Sequence, residues 1–342
     1  MLASETATSI TVTRPRRILL LGATGTIGSV TARLLCRQGY EVVCLLRPRS
    51  GALGQATREQ QISALAGTTL LYGELHDLRV LTNGVLKNER FDAVISCMAS
   101  RTGSPKDAWC VDYQSNKVAL QVAQGAGAQQ FVLLSAICVQ KPLLAFQRAK
   151  LAFEAALMQS GLVYSIVRPT AFFKSLSGQL ERVKSGKPFL LFGDGMLTAC
   201  KPISDDELAE YIVGCLTEPS RYNRILPIGG PGPAVTPLQQ GEYLFKLLGR
   251  KPRFKRVPVG LLDFIVIVLN LAGKLIPRVA DKAELARIGR YYATESMLVW
   301  DAAANRYDAD QTPSYGSQTL FDAYEAWLAV GKAPERGDHA VF

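Results

Sequence analysis

The sequence predicts an α/β protein built on a doubly wound parallel sheet, with a smaller, mostly helical cap contributed by its C-terminal half. Three observations predict it. Short, uninterrupted apolar runs alternate with helically spaced segments between residues 18 and 167. The first run leads directly into a glycine cluster that opens a helix. After Pro169 the alternation gives way to helical patterns separated by joints rich in Gly and Pro. Runs apolar on both faces are what strands buried inside a parallel sheet require. Strand–helix alternation then lays helices over both faces of that sheet.

Taken in order, Ile18–Leu21 is the first strand, and Thr26–Gln38 is a helix whose apolar face carries Ile27, Val30, Leu34 and Leu35. Gly39 stops it, because a left-handed residue closes a helix at little steric cost when it is glycine. Glu41–Leu46, Thr68–Tyr72 and Ala93–Cys97 are the second to fourth strands. Asp112–Ala126 is a helix, Phe131–Leu134 a fifth strand, Gln147–Gln159 a helix ending before Gly161, and Val163–Val167 a sixth strand. Beyond Pro169, helices are expected near Asp205–Leu216, Leu238–Leu248, Val259–Lys274 and Thr319–Val330, with joints such as Ile228–Pro233. The chain thus divides into a leader, residues 1–14, a dinucleotide-binding domain, residues 15–170, and a substrate-binding cap, residues 171–342. Some segments of the cap are expected to return to the sheet. The leader is rich in Thr and Ser without an apolar run, so disorder is expected there rather than a secretory signal.

Composition narrows the function. At 342 residues, 48% apolar and 20% charged, the chain has the balance of an ordinary globular protein. Its 39 Lys and Arg against 29 Asp and Glu leave +10, which favours anionic ligands. No basic run is interleaved with aromatics, so nucleic acid is not the expected partner. The 7 cysteines are scattered singly without a C-x-x-C pair, which points to a reducing, cytoplasmic setting and away from a cysteine-held metal or cluster. With only 2 histidines, a His-based metal site is not expected either. No stretch reaches the roughly eighteen uninterrupted apolar residues of a membrane span. The nearest, Gly260–Ala272, contains Asp263 and Asn270.

The glycine cluster reads Gly22-Ala23-Thr24-Gly25-Thr26-Ile27-Gly28. Between a strand and a helix, such glycines make the tight turn and let backbone approach a pyrophosphate. The helix N-terminus then presents free N–H groups and a positive dipole end to the phosphates. This is the dinucleotide fingerprint of a Rossmann fold. At the end of the second strand, where a carboxylate would bind the free ribose 2′-hydroxyl of NAD, the chain has Arg47-Pro48-Arg49-Ser50. Two guanidinium groups and a hydroxyl suit a 2′-phosphate, so NADPH is the expected cofactor. Glu74, Leu75 and Asp77 end the third strand, where adenine lies in this fold, and Cys97, Met98 and Ala99 end the fourth.

With this motif, Ser135 at the end of the fifth strand, Lys150 in the next helix and Arg168-Pro169-Thr170 after the sixth resemble the atypical, NmrA-like branch of the short-chain dehydrogenase/reductases. More specific runs are Phe131–Ala136 (FVLLSA), Phe146–Phe153 (FQRAKLAF), Ser165–Ser175 (SIVRPTAFFKS) and Gly193–Lys201 (GDGMLTACK). Tyr292–Asp301 (YATESMLVWD) and Tyr307–Leu320 (YDADQTPSYGSQTL) follow late in the chain. Over residues 15–325 the combination is similar to the NADPH-dependent 3,8-divinyl chlorophyllide a 8-vinyl reductases of photosynthetic organisms. That resemblance implies reduction of the vinyl group of a magnesium chlorin to ethyl, the substrate being a flat apolar macrocycle with a carboxylate.

The superfamily's usual acid is the tyrosine of Tyr-x-x-x-Lys, but here the spacing reads Phe146-Gln-Arg-Ala-Lys150. Phenylalanine has no proton to give. The resemblance leaves Lys150 to hold the nicotinamide ribose and support proton transfer, and Ser135 to orient substrate or nicotinamide. Pro169 is placed at the nicotinamide, and Phe172 and Phe173 are candidates for packing on nicotinamide or macrocycle, with core packing the equal alternative for either ring. Tyr291, Tyr292 and Tyr315 are the alternative donors. His76 could ligate the chlorin magnesium, although a surface histidine is the simpler reading. Finally, Lys251–Arg256 (KPRFKR) precedes the apolar Val259–Leu271, with Lys274 and Arg278 behind. That pattern fits either a helix seated peripherally on an anionic membrane or a buried cap helix lining the cleft. Against the reductase stand a non-catalytic NADPH sensor or assembly factor, and a reductase of another conjugated alkene.

Overall fold

The computed structural model describes residues 16–48 and 59–331; residues 1–14, Arg49 and Ser50 lie outside the described residues, as do the side chains of Lys274 and Arg278. Its centre is a 7-stranded sheet in the order β3-β2-β1-β4-β5-β6-β8. The strands are β1 (Arg17–Leu21), β2 (Glu41–Leu46), β3 (Thr69–Tyr72), β4 (Ala93–Ser96), β5 (Gln130–Leu134), β6 (Val163–Pro169) and β8 (Arg224–Ile228). All neighbours pair in parallel, with Leu19 of β1 set between Val43 of β2 and Val94 of β4.

The apolar runs explain the layers. Successive side chains of a strand face opposite ways. Ile18 and Leu20 therefore enter one core with Ile27, Ala32 and Leu35 of α1 (Thr26–Arg37). Leu19 and Leu21 enter the other, with Val118, Ala119 and Val122 of α3 (Asn116–Gly125) and Phe153 and Leu157 of α4 (Ala145–Met158). A short helix, α2 (Leu78–Asn83), is capped by the Asp77 side chain. The first face is completed by α5 (Asp205–Gly214), which contributes Leu208, Tyr211 and Ile212. Gly39 closes α1 at φ +81°, the left-handed conformation expected of it.

Several elements depart from the sequence expectation. The helix expected over Asp112–Ala126 begins earlier, as a π-helical turn over Trp109–Ser115 that runs into α3. Strand β8 was not expected, because its first residues are exposed and Pro227 lies within it. An edge position tolerates both, since a proline there leaves no ladder bond unmade in the sheet interior. Helix α8 (Pro277–Thr294) was also missed. Pro277 reads as a helix breaker, yet at the first helical position its missing N–H breaks no hydrogen bond and its fixed φ suits the helix.

Besides short helical turns, the described residues form a parallel pair, β7 (Phe189–Phe192) with β9 (Phe254–Val257), an antiparallel hairpin, β10 (Val299–Asp301) with β11 (Arg306–Asp308), and helices α6 (Pro237–Leu247), α7 (Val259–Leu275) and α9 (Leu320–Val330). Phe173, Phe189, Leu244, Phe245 and Tyr324 form a separate core among them. A fourth cluster joins Cys138, Leu144 and Phe146 to Ile288 and Tyr291 of α8. This last contact brings α8 against the C-terminal edge of the sheet, the side on which ligands of open α/β sheets bind.

Candidate active site

The turn between β1 and α1 lies at the point where strand order reverses, β1 being flanked by β2 and β4. Gly22 has φ +74°, and a Cβ on it would lie 2.6 Å from the backbone carbon and oxygen of Cys97. A Cβ on Gly28 would lie 2.2 Å from the Gly22 carbonyl oxygen. Backbone is packed directly on backbone at both places. Gly25 differs: a Cβ there would meet only the Gly22 oxygen, at 3.3 Å. Gly25 is the N-cap of α1, and no side chain caps that end. The N–H groups of the first turn therefore have no intrahelical acceptor and favour an anion. Thr24 is exposed beside them, Thr26 half-buried, and Ile27 buried in the core.

A lysine completes this end. Lys174 Nζ donates to Thr26 Oγ1 at 3.0 Å, bringing an ammonium from the segment after β6 to the start of α1. Arg47 is exposed at the end of β2, and Leu75 and Met98 are half-buried at the ends of β3 and β4. A bare helix N-terminus, two cations and a turn without room for side chains fit a phosphorylated dinucleotide. Asp205, at the start of α5, feels the Lys174 ammonium, yet its carboxyl oxygen Oδ1 has no hydrogen-bond partner. Burial pushes its pKa up from 3.8 to about 6, with Lys174 opposing the rise and Asp206 adding to it.

Two buried polar groups are built on α4. Lys150 is 8% exposed, and its Nζ lies 3.0 Å from Oδ1 of Asp112, in the π-helical turn. That oxygen also accepts from the Ser100 amide at 3.3 Å, while Asp112 Oδ2 has no partner. Next to it, Ser96 Oγ donates to Asn116 Oδ1 at 2.6 Å. The wider π turn, a feature often found at functional sites, sets Asp112 across from α4. In the second group the Ser135 hydroxyl donates to Glu154, which also accepts from Arg168 through both Nε and Nη2. Ser135 is thus held within the interface between sheet and α4.

Phe146, in the place of the usual tyrosine, is buried with Ile288 and Tyr291. Tyr291 Oη donates to the Cys138 carbonyl at 3.1 Å, and Tyr292 packs edge-on against Tyr291 with ring centres 5.7 Å apart. Tyr315 belongs elsewhere, packed on Tyr211 beside Arg221. Pro169 is buried and Phe172 half-buried, whereas Phe173 belongs to the cap core. The exposed His76 pairs with Glu74 at 3.0 Å.

Asp112, Glu154 and Lys174 were not singled out from the sequence. An acidic residue inside each of two apolar helical segments was the available signal for Asp112 and Glu154. Nothing local marks Lys174, whose partner is 148 residues away.

Residues 22–219 match the family model described as NAD(P)H-binding. The chain is 50% identical to the divinyl chlorophyllide a 8-vinyl-reductase, chloroplastic, of Cucumis sativus over 332 residues, covering 95% of this chain and 79% of that one. It is 48% identical to the protein of the same name from Arabidopsis thaliana, covering 92% and 78%. In fold it is similar to UDP-glucuronic acid 4-epimerase from Bacillus cereus solved with NAD, at a TM-score of 0.61 and 16% identity over 91% of this chain and 96% of that one.

Two predictions follow from this geometry. Gly28→Ala, by driving a methyl into the Gly22 carbonyl, should weaken NADPH binding by at least about tenfold, since phosphate contacts at a helix end contribute on the order of 1 kcal/mol or more. Fluorescence titration measures it; unchanged affinity contradicts the role given to the turn. Asp205→Asn should raise Tm at pH 8. The raised pKa means the folded chain holds this proton more tightly than the unfolded one, so its stabilising contribution is complete below pH 3.8 and is lost as pH climbs through about 6. The gain in the variant should therefore vanish near pH 4, and a Tm lowered at pH 8 would contradict it.

Proposed function

Because the chain belongs to the divinyl chlorophyllide a 8-vinyl-reductase family, we propose that it reduces the 8-vinyl group of 3,8-divinyl chlorophyllide a, or its protochlorophyllide form, to ethyl with NADPH. The observation that carries this reading is the extent of the match. It covers 95% of this chain, well beyond the residues 22–219 of the NAD(P)H-binding model. NADPH when bound supplies the hydride.

The protein's own residues do the rest. The uncapped start of α1, with Lys174 beside Thr26, neutralises the pyrophosphate. Arg47, placed where a carboxylate would select NAD, meets the 2′-phosphate. Lys150 reaches the nicotinamide ribose, and Asp112 keeps its ammonium from wandering to solvent. Glu154 anchors Ser135 and Arg168, so the wall under the nicotinamide is fixed before ligands arrive. Phe172, half-buried just past Pro169, offers an apolar surface for the macrocycle or the nicotinamide.

We also infer that the protein works against an anionic membrane surface. Among the described residues no helix is long and apolar enough to cross a membrane. Helix α7 nevertheless carries an exposed stripe, Leu261, Phe264, Ile267, Val268 and Leu271, at three- and four-residue spacing. Phe264 is 62% and Leu271 59% exposed, which speaks for the interfacial reading of this helix over the buried one. Lys251, Arg253, Lys255 and Arg256 stand exposed just before it. An apolar stripe flanked by cations is the arrangement that seats a helix among anionic headgroups. The pigment substrate, itself apolar, partitions to the same place.

Purified protein mixed with NADPH and divinyl chlorophyllide should shift the Soret band to the blue as the vinyl group is lost. Tight NADPH binding without that shift would favour a sensor. Separately, the protein should sediment with phosphatidylglycerol-containing vesicles but not with phosphatidylcholine alone, and Phe264→Ser with Leu271→Ser should abolish it. Equal sedimentation of the variant would contradict the membrane role of α7.

A further inference from the structure

We propose that Tyr292 of α8 is the proton donor of the vinyl reduction, supplying from the C-terminal half the hydroxyl that Phe146 lacks. The inference rests on the reductase reading above. Reduction adds hydride to one vinyl carbon, and the π pair moves to the neighbouring carbon, which must then take a proton. Some group on the catalytic face has to provide it.

The structure narrows the choice among the tyrosines the sequence offered. Tyr315 lies with Tyr211 and Arg221 and outside the cluster around Phe146. Tyr291 is 3% exposed and its hydroxyl is committed to the Cys138 carbonyl. Tyr292 is half-buried, and its hydroxyl interacts with the Cys138 thiol. That same thiol feels the Lys150 ammonium. Phe146, Cys138, Tyr291 and Tyr292 thus occupy one cluster, with Lys150 at its edge. Tyr292 of α8 and Lys150 of α4 thus act on the same thiol from two different helices.

The end of α8 is fixed to this face by independent contacts. Glu295 accepts from Lys141 at 2.7 Å and from Tyr307 at 2.6 Å. Gln140, in the turn that follows β5, donates to the Leu298 carbonyl and accepts from the Trp300 amide at 2.8 Å. These tie Tyr292 to the loop that carries Cys138. Tyr291, holding the Cys138 carbonyl, positions that loop from beneath. Burial and the neighbouring thiol raise the Tyr292 pKa well above its usual value, so the hydroxyl keeps its proton at working pH until negative charge develops on the substrate carbon. In the step itself the Tyr292 O–H bond breaks as the new C–H bond forms, and water returns a proton to the phenolate.

The test compares wild type and Tyr292→Phe in single turnover with NADPH and divinyl chlorophyllide, alongside binding of each ligand. The variant should lose at least about a hundredfold in rate, the usual worth of a positioned acid, while both affinities stay within about threefold, under 1 kcal/mol. Adding Phe146→Tyr to that variant should restore part of the rate, by returning a hydroxyl to the same cluster. A Tyr292→Phe rate within threefold of wild type, in a wild type that does turn over, overturns the proposal. Wild type that fails to turn over overturns the reductase reading instead. Should Tyr292→Phe not fold, 3,5-difluorotyrosine incorporated at position 292 keeps ring and hydroxyl but makes the proton more acidic. The solvent deuterium isotope effect on the rate should then change; an unchanged isotope effect overturns the proposal.

Discussion

The contact between Gly28 and the Gly22 carbonyl governs the rest of the molecule. With 2.2 Å between that oxygen and where a Cβ would be, α1 can begin only directly above the turn that ends β1. A helix begun there leaves its first N–H groups uncapped at the crossover of the sheet. Anionic ligands are the partners such a terminus favours. The placement of everything else then has a common origin. Lys174 arrives from beyond β6, Arg47 stands exposed at the end of β2, and Lys150 is held on α4 by Asp112.

The ion pairs buried beside the sheet would be unfavourable if either partner stood alone. Lys150 and Asp112 are both nearly inaccessible, as are Glu154 and, in part, Arg168. Removing one member of a buried pair typically costs about 3–5 kcal/mol, because the other is left charged without a partner. Such pairs are weak contributors to net stability, but they hold directions. Ser135 and Lys150 are each fixed by a carboxylate on another element before any ligand binds. A cofactor ring that must be presented to substrate within a few tenths of an ångström gains from that stiffness.

How much of this was legible in the sequence follows from distance along the chain. The strands from Ile18 to Val167 and the glycine turn are local patterns, and the structure has the strands within two residues of their expected limits. Strand β8 was hidden because edge strands need neither a continuous apolar run nor freedom from proline. Helix α8 was hidden behind Pro277, a breaker in mid-helix but a natural first residue. Pairings such as Lys174 with Thr26 or Lys150 with Asp112 leave no periodic trace, since only the fold brings them together. The tyrosines of α8 could be named but not ranked for the same reason. Their rank depends on which hydroxyl the fold commits to backbone, as it does that of Tyr291 to the Cys138 carbonyl.

Helices α7 and α8 join two requirements that the sequence shows separately. One presents an apolar stripe outward and the other brings Tyr291 and Tyr292 against Cys138 and Phe146, with the Asp263–Arg290 ion pair tying them to each other. Under the function proposed above, a pigment leaving a membrane surface meets the first and reacts beside the second. All of it presupposes phosphate at the start of α1, and backbone amide resonances report that directly. On titration with NADPH, the amides of Gly25, Thr26 and Ile27 should show the largest shifts in the spectrum, saturating together with binding. Saturable binding that leaves those three amides unmoved would contradict the account.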